Sequence, residues 1–478
     1  MLYTQVADRI AGFIESGTLR AGERVPSVRK FSDQQRVSVS TVLQAYTLLE
    51  SRGLIESRPR SGYYVRARQA PPPEPRVSPT QHVPVRVETA ATTLRIFESE
   101  KEGTLASLAS ALPSPELFPT QGLIRAIAKA SRTLGAGMHR YEYAPGHLPL
   151  RRQIAKRSLE MGQALSADEI IITVGAMEAL NLCLRAVAQP GEVIAIESPT
   201  YFGILQVMES LGLRAIEVPT HPRLGMDVDA LARLLATQPI KAVVAMPSFH
   251  NPLGSCMPDE RKQALVELLE RHRIPLIEDD VYGDLPSAGE RPRTAKSYDR
   301  TGNVLLLSGF SKSFSPGARV GWVAPGRFFE EIKTLKFMNT IATPTLMQAA
   351  VAEFMHSGSY DRHLRRLRAK FAEQVAQVGD TVSRFFPEET CVSRPTGGYV
   401  LWVELPASID ALELYDRAVA KRVRFAPGPI FSPSGGFRSC IRLNCGFPYT
   451  DQTEEAVKIL GRLAGNLAKG TMAQSAGG

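Results

Sequence analysis

The chain has 478 residues with 44% hydrophobic residues, 22% charged residues and a net charge of +9; these values are typical of a folded globular protein and exclude a wholly disordered chain. At about 150 residues per domain the length allows about three domains, or one large domain with a small one, and the five scattered cysteines predict neither a disulfide framework nor a metal site. No apolar run approaches the ~18 residues of a membrane-spanning helix and the amino terminus lacks the pattern of a signal peptide, so we expect a cytoplasmic protein that does not contact a membrane.

The first 65 residues contain the apolar patterns of three helices and a hairpin. Apolar residues recur at helical spacing over residues 3–14, Ser27 is placed to begin a short second helix, and a third helix begins at Ser38 or Ser40. Two short strands follow, at residues 54–57 and 63–65. This order predicts an α+β winged helix-turn-helix domain over residues 1–67.

The amino-terminal segment is also basic. Residues 1–70 hold eleven Lys and Arg residues against six Asp and Glu, so this seventh of the chain carries five of the nine net positive charges. Because winged helices place a recognition helix in the major groove and a hairpin beside the phosphates, we expect double-stranded operator DNA as a partner. The alternative is a protein-contact module whose basic residues are simply solvated. The candidate DNA-binding residues are Arg29, Ser38, Ser40, Thr41, Arg58 and Arg60.

The same segment resembles the DNA-binding domain of the GntR family. The shared pattern includes Pro26-Ser27-Val28-Arg29, the run from Val37 to Val42 and Ala45-Tyr46, and it covers nearly all of residues 2–65. One position departs from the pattern. Many members have Arg directly after the Val-Ser pair, where this chain has Val39, so the base or phosphate contact of that Arg is missing here.

A proline-rich segment separates this unit from the rest of the chain. Six prolines lie between Gln69 and Glu88, with few large apolar side chains. Such a composition favours extended, semi-rigid chain over packing. We therefore predict a linker over residues 68–104, an α/β body over residues 105–466 and a flexible tail over residues 467–478.

Short apolar runs alternate with helical stretches from about Leu105 onward, which is typical of a mostly parallel sheet. Five runs lead directly into clusters of polar residues and glycines. Because ligands bind beyond the carboxyl ends of the strands in open α/β sheets, we expect the clusters to converge there. A small carboxy-terminal α+β subdomain is expected over about residues 350–466. The clusters follow Ile172, Ile196, Met246, Ile277 and Leu307.

The groups in these clusters suit pyridoxal 5'-phosphate. Gly175 before a helix could expose N–H groups to a phosphate, Asp279 at a buried strand end needs a cationic partner such as a protonated ring nitrogen, and Lys312 could condense with an aldehyde. Taken alone, each has a plainer interpretation: a turn, a salt bridge or a surface ammonium. Together they predict a pyridoxal phosphate site, completed by four further side chains. These are Tyr201, Asn251, Tyr282 and Arg319.

Residues from about 105 to 465 resemble the fold-type I aspartate aminotransferase superfamily, and the whole chain resembles the MocR subfamily of GntR regulators. The resemblance implies that Lys312 forms the internal aldimine, Asp279 pairs with the pyridine nitrogen and Arg442 binds an α-carboxylate. It also implies a homodimer with exchanged domains, in which Tyr141 reaches the phosphate held by the other subunit. The other implied cofactor contacts are Tyr201 stacked on the ring, Asn251 and Tyr282 at the ring oxygen, and Gly175, Ala176, Ser311 and Arg319 at the phosphate.

The resemblance implies a transcriptional regulator that senses an amine or amino acid through an external aldimine, or senses the cofactor itself. The alternative is an active aminotransferase with incidental DNA binding, because the same residues suffice for a proton shift catalysed by Lys312. A third hypothesis is a regulator that binds no cofactor. It is suggested by Gly309, which stands where many relatives have a phosphate-binding Ser or Thr, with Ser308 and Ser311 as the hydroxyls that could compensate.

Overall fold

The computed structural model describes residues 2–51, 54–58, 61–65, 72–98 and 105–475. The chain divides into two compact units, Met1–Pro71 and Pro72–Gly478. Within the described ranges, no helix is both long enough and apolar enough to cross a membrane.

The described part of the first unit consists of three helices and an antiparallel hairpin, which confirms the predicted winged helix-turn-helix. The side chains of Val6, Ile10, Val42 and Leu49 are buried between the helices. The Tyr46 hydroxyl donates a 2.6 Å hydrogen bond to the Pro26 carbonyl, which fastens the third helix to the start of the second. The elements are α1 (Leu2–Glu15), α2 (Val28–Gln35), α3 (Val39–Ser51), β1 (Ile55–Arg58) and β2 (Gly62–Val65).

The second unit is built on a mixed, mostly parallel sheet, as the sequence predicts. Nine strands form it in the described residues, in the order β3-β7-β6-β9-β10-β11-β12-β5, with β8 paired to β7. Its central strands are buried almost throughout because helices cover both faces, which is why they consist mainly of apolar residues. The strands are β3 (Val85–Arg86), β5 (Ile171–Thr173), β6 (Val193–Ser198), β7 (Arg214–His221), β8 (Gly225–Met226), β9 (Ile240–Ala245), β10 (Leu276–Asp279), β11 (Val304–Gly309) and β12 (Gly321–Ala324).

The helices of the second unit cover this sheet and the smaller sheet described below. Helix α7 packs under β11 and β12, and α12 packs against α5 and α6. The helices are α4 (Ala90–Glu98), α5 (Thr120–Leu134), α6 (Leu148–Ser158), α7 (Ala176–Val187), α8 (Phe202–Ser210), α9 (Val228–Thr237), α10 (Asp259–His272), α11 (Phe329–Thr340), α12 (Thr345–His356), α13 (Ser359–Phe385), α14 (Ala411–Val419) and α15 (Asp451–Ser475).

A smaller sheet forms the predicted carboxy-terminal subdomain, but one of its strands comes from the other end of the unit. The order is β13-β14-β16-β15-β4, and β4 pairs in parallel with β15. Helix α15 packs on this sheet beyond residue 466, with Leu467 and Ala468 buried, so a flexible tail does not begin at residue 467. The strands are β4 (Ala106–Leu108), β13 (Cys391–Val392), β14 (Val400–Glu404), β15 (Val423–Pro427) and β16 (Cys440–Asn444).

The predicted linker is also shorter than expected. Residues 72–98 belong to the second unit: β3 adds to the edge of the large sheet, and α4 packs on α8. Glu74 pairs with Arg223 at 2.6 Å, and the Glu209 carboxylate accepts from the Thr89 amide at 2.8 Å. Extended, proline-rich chain thus lies on the unit because its main chain and charges find partners there.

Candidate functional site

The carboxyl ends of the central strands surround a cavity of about 270 Å³. The polar clusters predicted to converge do meet here. Phe202, Met177 and Leu180 also line the cavity and were not anticipated. The predicted residues in the lining are Ala176, Tyr201, Asn251, Asp279, Tyr282, Ser311, Lys312 and Arg319.

Asp279, the last residue of β10, faces this cavity with little compensation for its charge. Its side chain is 4% exposed, and its Oδ1 accepts a 3.1 Å hydrogen bond from the Val281 amide. Among the described residues, no Lys, Arg or His forms an ion pair with it. Burial raises the pKa of Asp279 to about 7, because it outweighs the Val281 hydrogen bond and the positive charge of Lys312, which act in the opposite direction. The carboxylate would be stabilised by a cation in the cavity.

Lys312 lies across the same cavity, three residues after β11 ends. Its Nζ donates a 2.7 Å hydrogen bond to the Ala111 carbonyl. Burial, reinforced by the positive charge of Arg442, lowers the pKa of the Lys312 amine to about 8. A larger fraction of this amine is therefore neutral near physiological pH than for a surface lysine, which is the state that attacks a carbonyl carbon.

An anion cradle lies at the start of α7. Gly175 precedes the helix with φ +79°, and a Cβ there would come within 2.7 Å of Arg319 Nη2. Glycine therefore allows the Arg319 guanidinium to lie over the helix amino terminus, where it donates to the Val174 carbonyl at 3.2 Å. Free N–H groups, a helix dipole and a guanidinium together suit a phosphate.

Two serines and one glycine near this cradle differ in whether they face the cavity. Ser311 lines the cavity, whereas the buried Ser308 Oγ donates a 3.0 Å hydrogen bond to the Asp280 carbonyl and does not line it. Ser308 is thus unsuited to replace the phosphate-binding hydroxyl, contrary to the expectation that it could compensate. Gly309 does line the cavity. A Cβ at this position would lie 3.4 Å from its nearest neighbour, the Ala176 nitrogen, which is an ordinary van der Waals contact.

Aromatic rings and an amide form the remaining walls. The Tyr201 ring lies over Gly203, where a Cβ would come within 2.4 Å of the ring. Asn251 is buried and Tyr282 packs at 5.5 Å from the Tyr399 ring. Burial raises the pKa of the Tyr282 phenol, which therefore stays a hydrogen-bond donor. The wall residues suit a flat, polar ring between them.

Arg442 on β16 is fully buried and lies behind the cavity lining. Its Nη1 donates to Asn251 Oδ1 at 3.3 Å, its Nη2 donates to the Ala109 carbonyl, and its guanidinium lies 5.5 Å from the Phe431 ring centroid. The link to Asn251 brings it to the edge of the site.

A segment that we call the strap, residues 109–114, crosses the site between β4 and α5. Lys312 donates to the Ala111 carbonyl and Arg442 to the Ala109 carbonyl. The Tyr399 hydroxyl also donates to Ala111, at 3.0 Å. Beyond the strap lies a second, mainly apolar cavity of about 380 Å³ that shares Ser110, Leu112 and Pro316 with the first. No sequence pattern indicated the strap, because its contacts are made by main-chain carbonyls.

Tyr141 does not line the cavity within the chain. Its side chain is 67% exposed, and its ring lies 5.8 Å from that of Tyr143. Tyr143 in turn lies 6.0 Å from the exposed Phe337. These rings form an apolar surface patch.

The acidic side chains on the reverse side of the segment after β10 form ion pairs. Asp280 forms an ion pair with Arg291, and Asp284 pairs with Arg291 at 2.8 Å and with Arg157 at 3.1 Å. The Tyr360 hydroxyl donates to Asp284 at 3.0 Å. Burial alone would raise the pKa of Asp284, but the two guanidinium groups hold it well below its usual range.

In the first unit, the predicted DNA-binding residues are placed at the surface. Arg29 and Ser40 are exposed, and the Ser38 Oγ accepts from the Thr41 amide at 3.2 Å, which caps the start of α3. Arg58 pairs with Glu56 at 2.9 Å and stacks on Tyr64 at 4.3 Å. Its charge is therefore partly engaged within the hairpin. Arg60 lies outside the described residues.

Comparison with known proteins covers both units. Residues 116–460 match the family model "Aminotransferase class I and II", and residues 2–65 match "Bacterial regulatory proteins, gntR family". The chain is 39% identical over 459 residues to the uncharacterized HTH-type transcriptional regulator YjiR of Escherichia coli (strain K12), which covers 96% of this chain and 98% of the relative. It is 31% identical to the 2-aminoadipate transaminase of Thermus thermophilus, over 79% of this chain and 95% of that one.

A solved structure is similar over most of the chain. It is LysN, the alpha-aminoadipate aminotransferase from Thermus thermophilus, complexed with N-(5'-phosphopyridoxyl)-L-leucine. The TM-score is 0.74 at 29% identity, and the match covers 80% of this chain and 96% of that chain.

Proposed function

The chain belongs to the MocR-type regulators, in which a gntR helix-turn-helix domain precedes a class I and II aminotransferase domain, and we propose that it binds pyridoxal 5'-phosphate, senses an amine or amino acid there and thereby alters its binding to operator DNA. The observation that carries the proposal is that one cavity holds both Asp279, a buried carboxylate that keeps a raised pKa despite the charge of Lys312, and Lys312 itself, an amine of lowered pKa.

The side chains of the cavity fit this cofactor. When bound, pyridoxal phosphate supplies an aldehyde for an amine and a ring that accepts electrons. Asp279 would hold a proton on the ring nitrogen, which explains a buried carboxylate that forms no ion pair within the described residues. Arg319, Ser311 and the Ala176 N–H would bind the phosphate, with Gly175 leaving room for Arg319. Tyr201, Asn251 and Tyr282 would bind the ring and its oxygen.

An effector would use the groups that remain. Its amine would take the place of the Lys312 amine, and Arg442 would bind a carboxylate if the effector has one. The second cavity, beyond the strap, would accept its side chain. Because Lys312 and Arg442 both donate to the strap, their engagement by a ligand would remove two of the strap's hydrogen bonds and favour a second arrangement of the subdomain.

We further propose a homodimer with exchanged domains. The exposed aromatic patch of Tyr141, Tyr143 and Phe337 supports this, since an apolar patch of this kind is typical of a covered surface. Tyr141 would then reach the phosphate in the partner site. Each winged helix-turn-helix would bind one half-site of the operator.

The test is fluorescence anisotropy of the full-length protein, with DNA from upstream of its own gene and with a shuffled duplex, at one stated salt concentration. We expect tight binding to the native fragment alone, and a shift in affinity when the cofactor-loaded protein meets its effector from a panel of amines. Equal, weak and salt-sensitive binding to both duplexes would contradict the proposal.

Lys312→Ala separates sensing from recognition. We expect the variant to bind the native fragment like the wild type but not to respond to amines, whereas Lys333→Ala, on the surface of α11, should respond normally.

The second candidate function is an active aminotransferase, which the lowered pKa of Lys312 favours because a neutral lysine can carry the proton. Keto-acid production that Lys312→Ala abolishes, without selective DNA binding, would support the enzyme instead.

A further inference from the structure

Helix α3 carries two exposed apolar side chains that lie outside the hydrophobic core of the first unit. Val39 and Leu43 are 51% and 48% exposed, whereas Val42, Ala45 and Leu49 of the same helix are fully buried. Val39 and Leu43 are four residues apart and so lie one turn apart on the same side of the helix. The core therefore accounts for one face of α3 and leaves these two residues outside it.

The exposed side of α3 is also without charge over its first three turns. Ser40, Gln44 and Thr47 are its exposed polar residues, and the single charged residue of the helix is Glu50, which accepts from the Ser57 amide at 3.0 Å. This side of α3 therefore carries no cation that could bind a phosphate or a guanine edge. The basic residues of the unit, such as Arg29 and Lys30, lie on other elements and would contact the backbone.

These observations lead to a specific partner group. The first residues of a recognition helix meet base edges in the major groove, and the apolar group displayed there is the C5-methyl of thymine. Resting on the proposed DNA-binding function, we propose that Val39 and Leu43 read thymine methyl groups, so that the operator half-site has T·A pairs at the positions facing the start of α3. The excess of basic residues in this unit favours DNA over a protein as the occupant of the surface.

The test removes the methyl group and nothing else. Full-length protein selects its preferred duplex from a random pool, and each thymine of the half-site is then replaced by deoxyuridine, which keeps base pairing and polar groups. We expect a loss of about fourfold in affinity for each contacted methyl, as for burying one carbon. The double variant with Val39→Ala and Leu43→Ala should bind the thymine duplex more weakly and bind both duplexes equally.

A matched control is Phe13→Ala, which removes another exposed apolar side chain of the same unit, on α1. It should keep the wild-type preference for thymine over deoxyuridine. Selection of no sequence at all would contradict the DNA-binding function and the inference with it. A selected sequence that tolerates deoxyuridine, or a double variant that binds like the wild type, would overturn the inference alone and leave the regulator in place.

Discussion

Asp279, which ends β10, and Asp284, in the segment that follows, have opposite surroundings. Asp279 faces the cavity with one amide donor, and burial raises its pKa to about 7. Asp284, five residues later, lies on the reverse side between Arg157 and Arg291, which hold its pKa well below the usual range. Both carboxylates are largely removed from water, but within the part of the chain that the structure describes only Asp284 forms ion pairs. The difference distinguishes a structural charge from one that awaits a ligand.

The largest effect should come from the reverse side. Asp284→Ala leaves Arg157 and Arg291 without their shared carboxylate, and we expect the free energy of unfolding to fall by about 3 kcal/mol. Urea denaturation measures it. The control is Asp361→Ala, which removes a 54% exposed partner of Arg157 and should cost less than about 1 kcal/mol. Equal losses would show that burial does not separate the two pairs.

On the cavity side we expect a substitution of the aspartate to raise the free energy of unfolding instead of lowering it. In the cofactor-free protein Asp279 has a folded pKa near 7, against about 3.9 in an unfolded chain. The folded state therefore binds a proton more tightly, and this contribution to stability is lost as the pH rises from about 4 through 7. Asp279→Asn keeps the Val281 hydrogen bond but cannot ionise. It should stabilise the cofactor-free protein by about 2 kcal/mol at pH 8 and have little effect at pH 4.

Urea unfolding of the two cofactor-free proteins at both pH values measures this difference. The same variant should bind pyridoxal phosphate at least tenfold more weakly, because an amide does not supply the counter-charge. A variant that is less stable than the wild type at pH 8 would refute the idea that the charge of Asp279 destabilises the cofactor-free protein.

The smallest effect concerns the phosphate cradle. Gly309→Ser adds a hydroxyl beside the Ala176 nitrogen in space that accepts a Cβ. We expect pyridoxal phosphate to bind about fivefold more tightly, which corresponds to one added hydrogen bond. Equilibrium dialysis measures this. Ser308→Ala, whose hydroxyl contacts the Asp280 carbonyl instead, should leave the affinity unchanged; a weakening there would mean that Ser308 does serve the phosphate.

Much of the fold could be predicted because its signals are local. The apolar runs before Gly175, Tyr201, Asn251, Asp279 and Lys312 are strands, since a sheet covered on both faces requires such runs. The direction in which the Ser308 side chain points could also have been predicted from the sequence. Successive strand residues face opposite sides, so a cavity-facing Gly309 turns Ser308 away.

Other features have no local signal. Strand β4 is three residues long and pairs with β15, more than 300 residues later in the chain, so nothing near Ser107 marks it as part of a sheet. The prolines of residues 72–84 are compatible both with a free linker and with extended chain lying on a surface. The main-chain and ion-pair partners supplied by Arg214, Arg223 and Arg394 decide for the latter.

The strap binds two of the donors that a ligand in the cavity would use. The carbonyls of Ala109 and Ala111 hold the donors of Arg442 and Lys312, so an incoming carboxylate or aldehyde competes with the main chain for them. This competitor is covalently attached, and its local concentration does not change with dilution. The observed affinity for any ligand is therefore the intrinsic affinity reduced by the free energy of displacing the strap. Substitutions at residues 109–114 would then adjust the ligand concentration at which the protein responds while leaving every ligand-binding side chain unchanged.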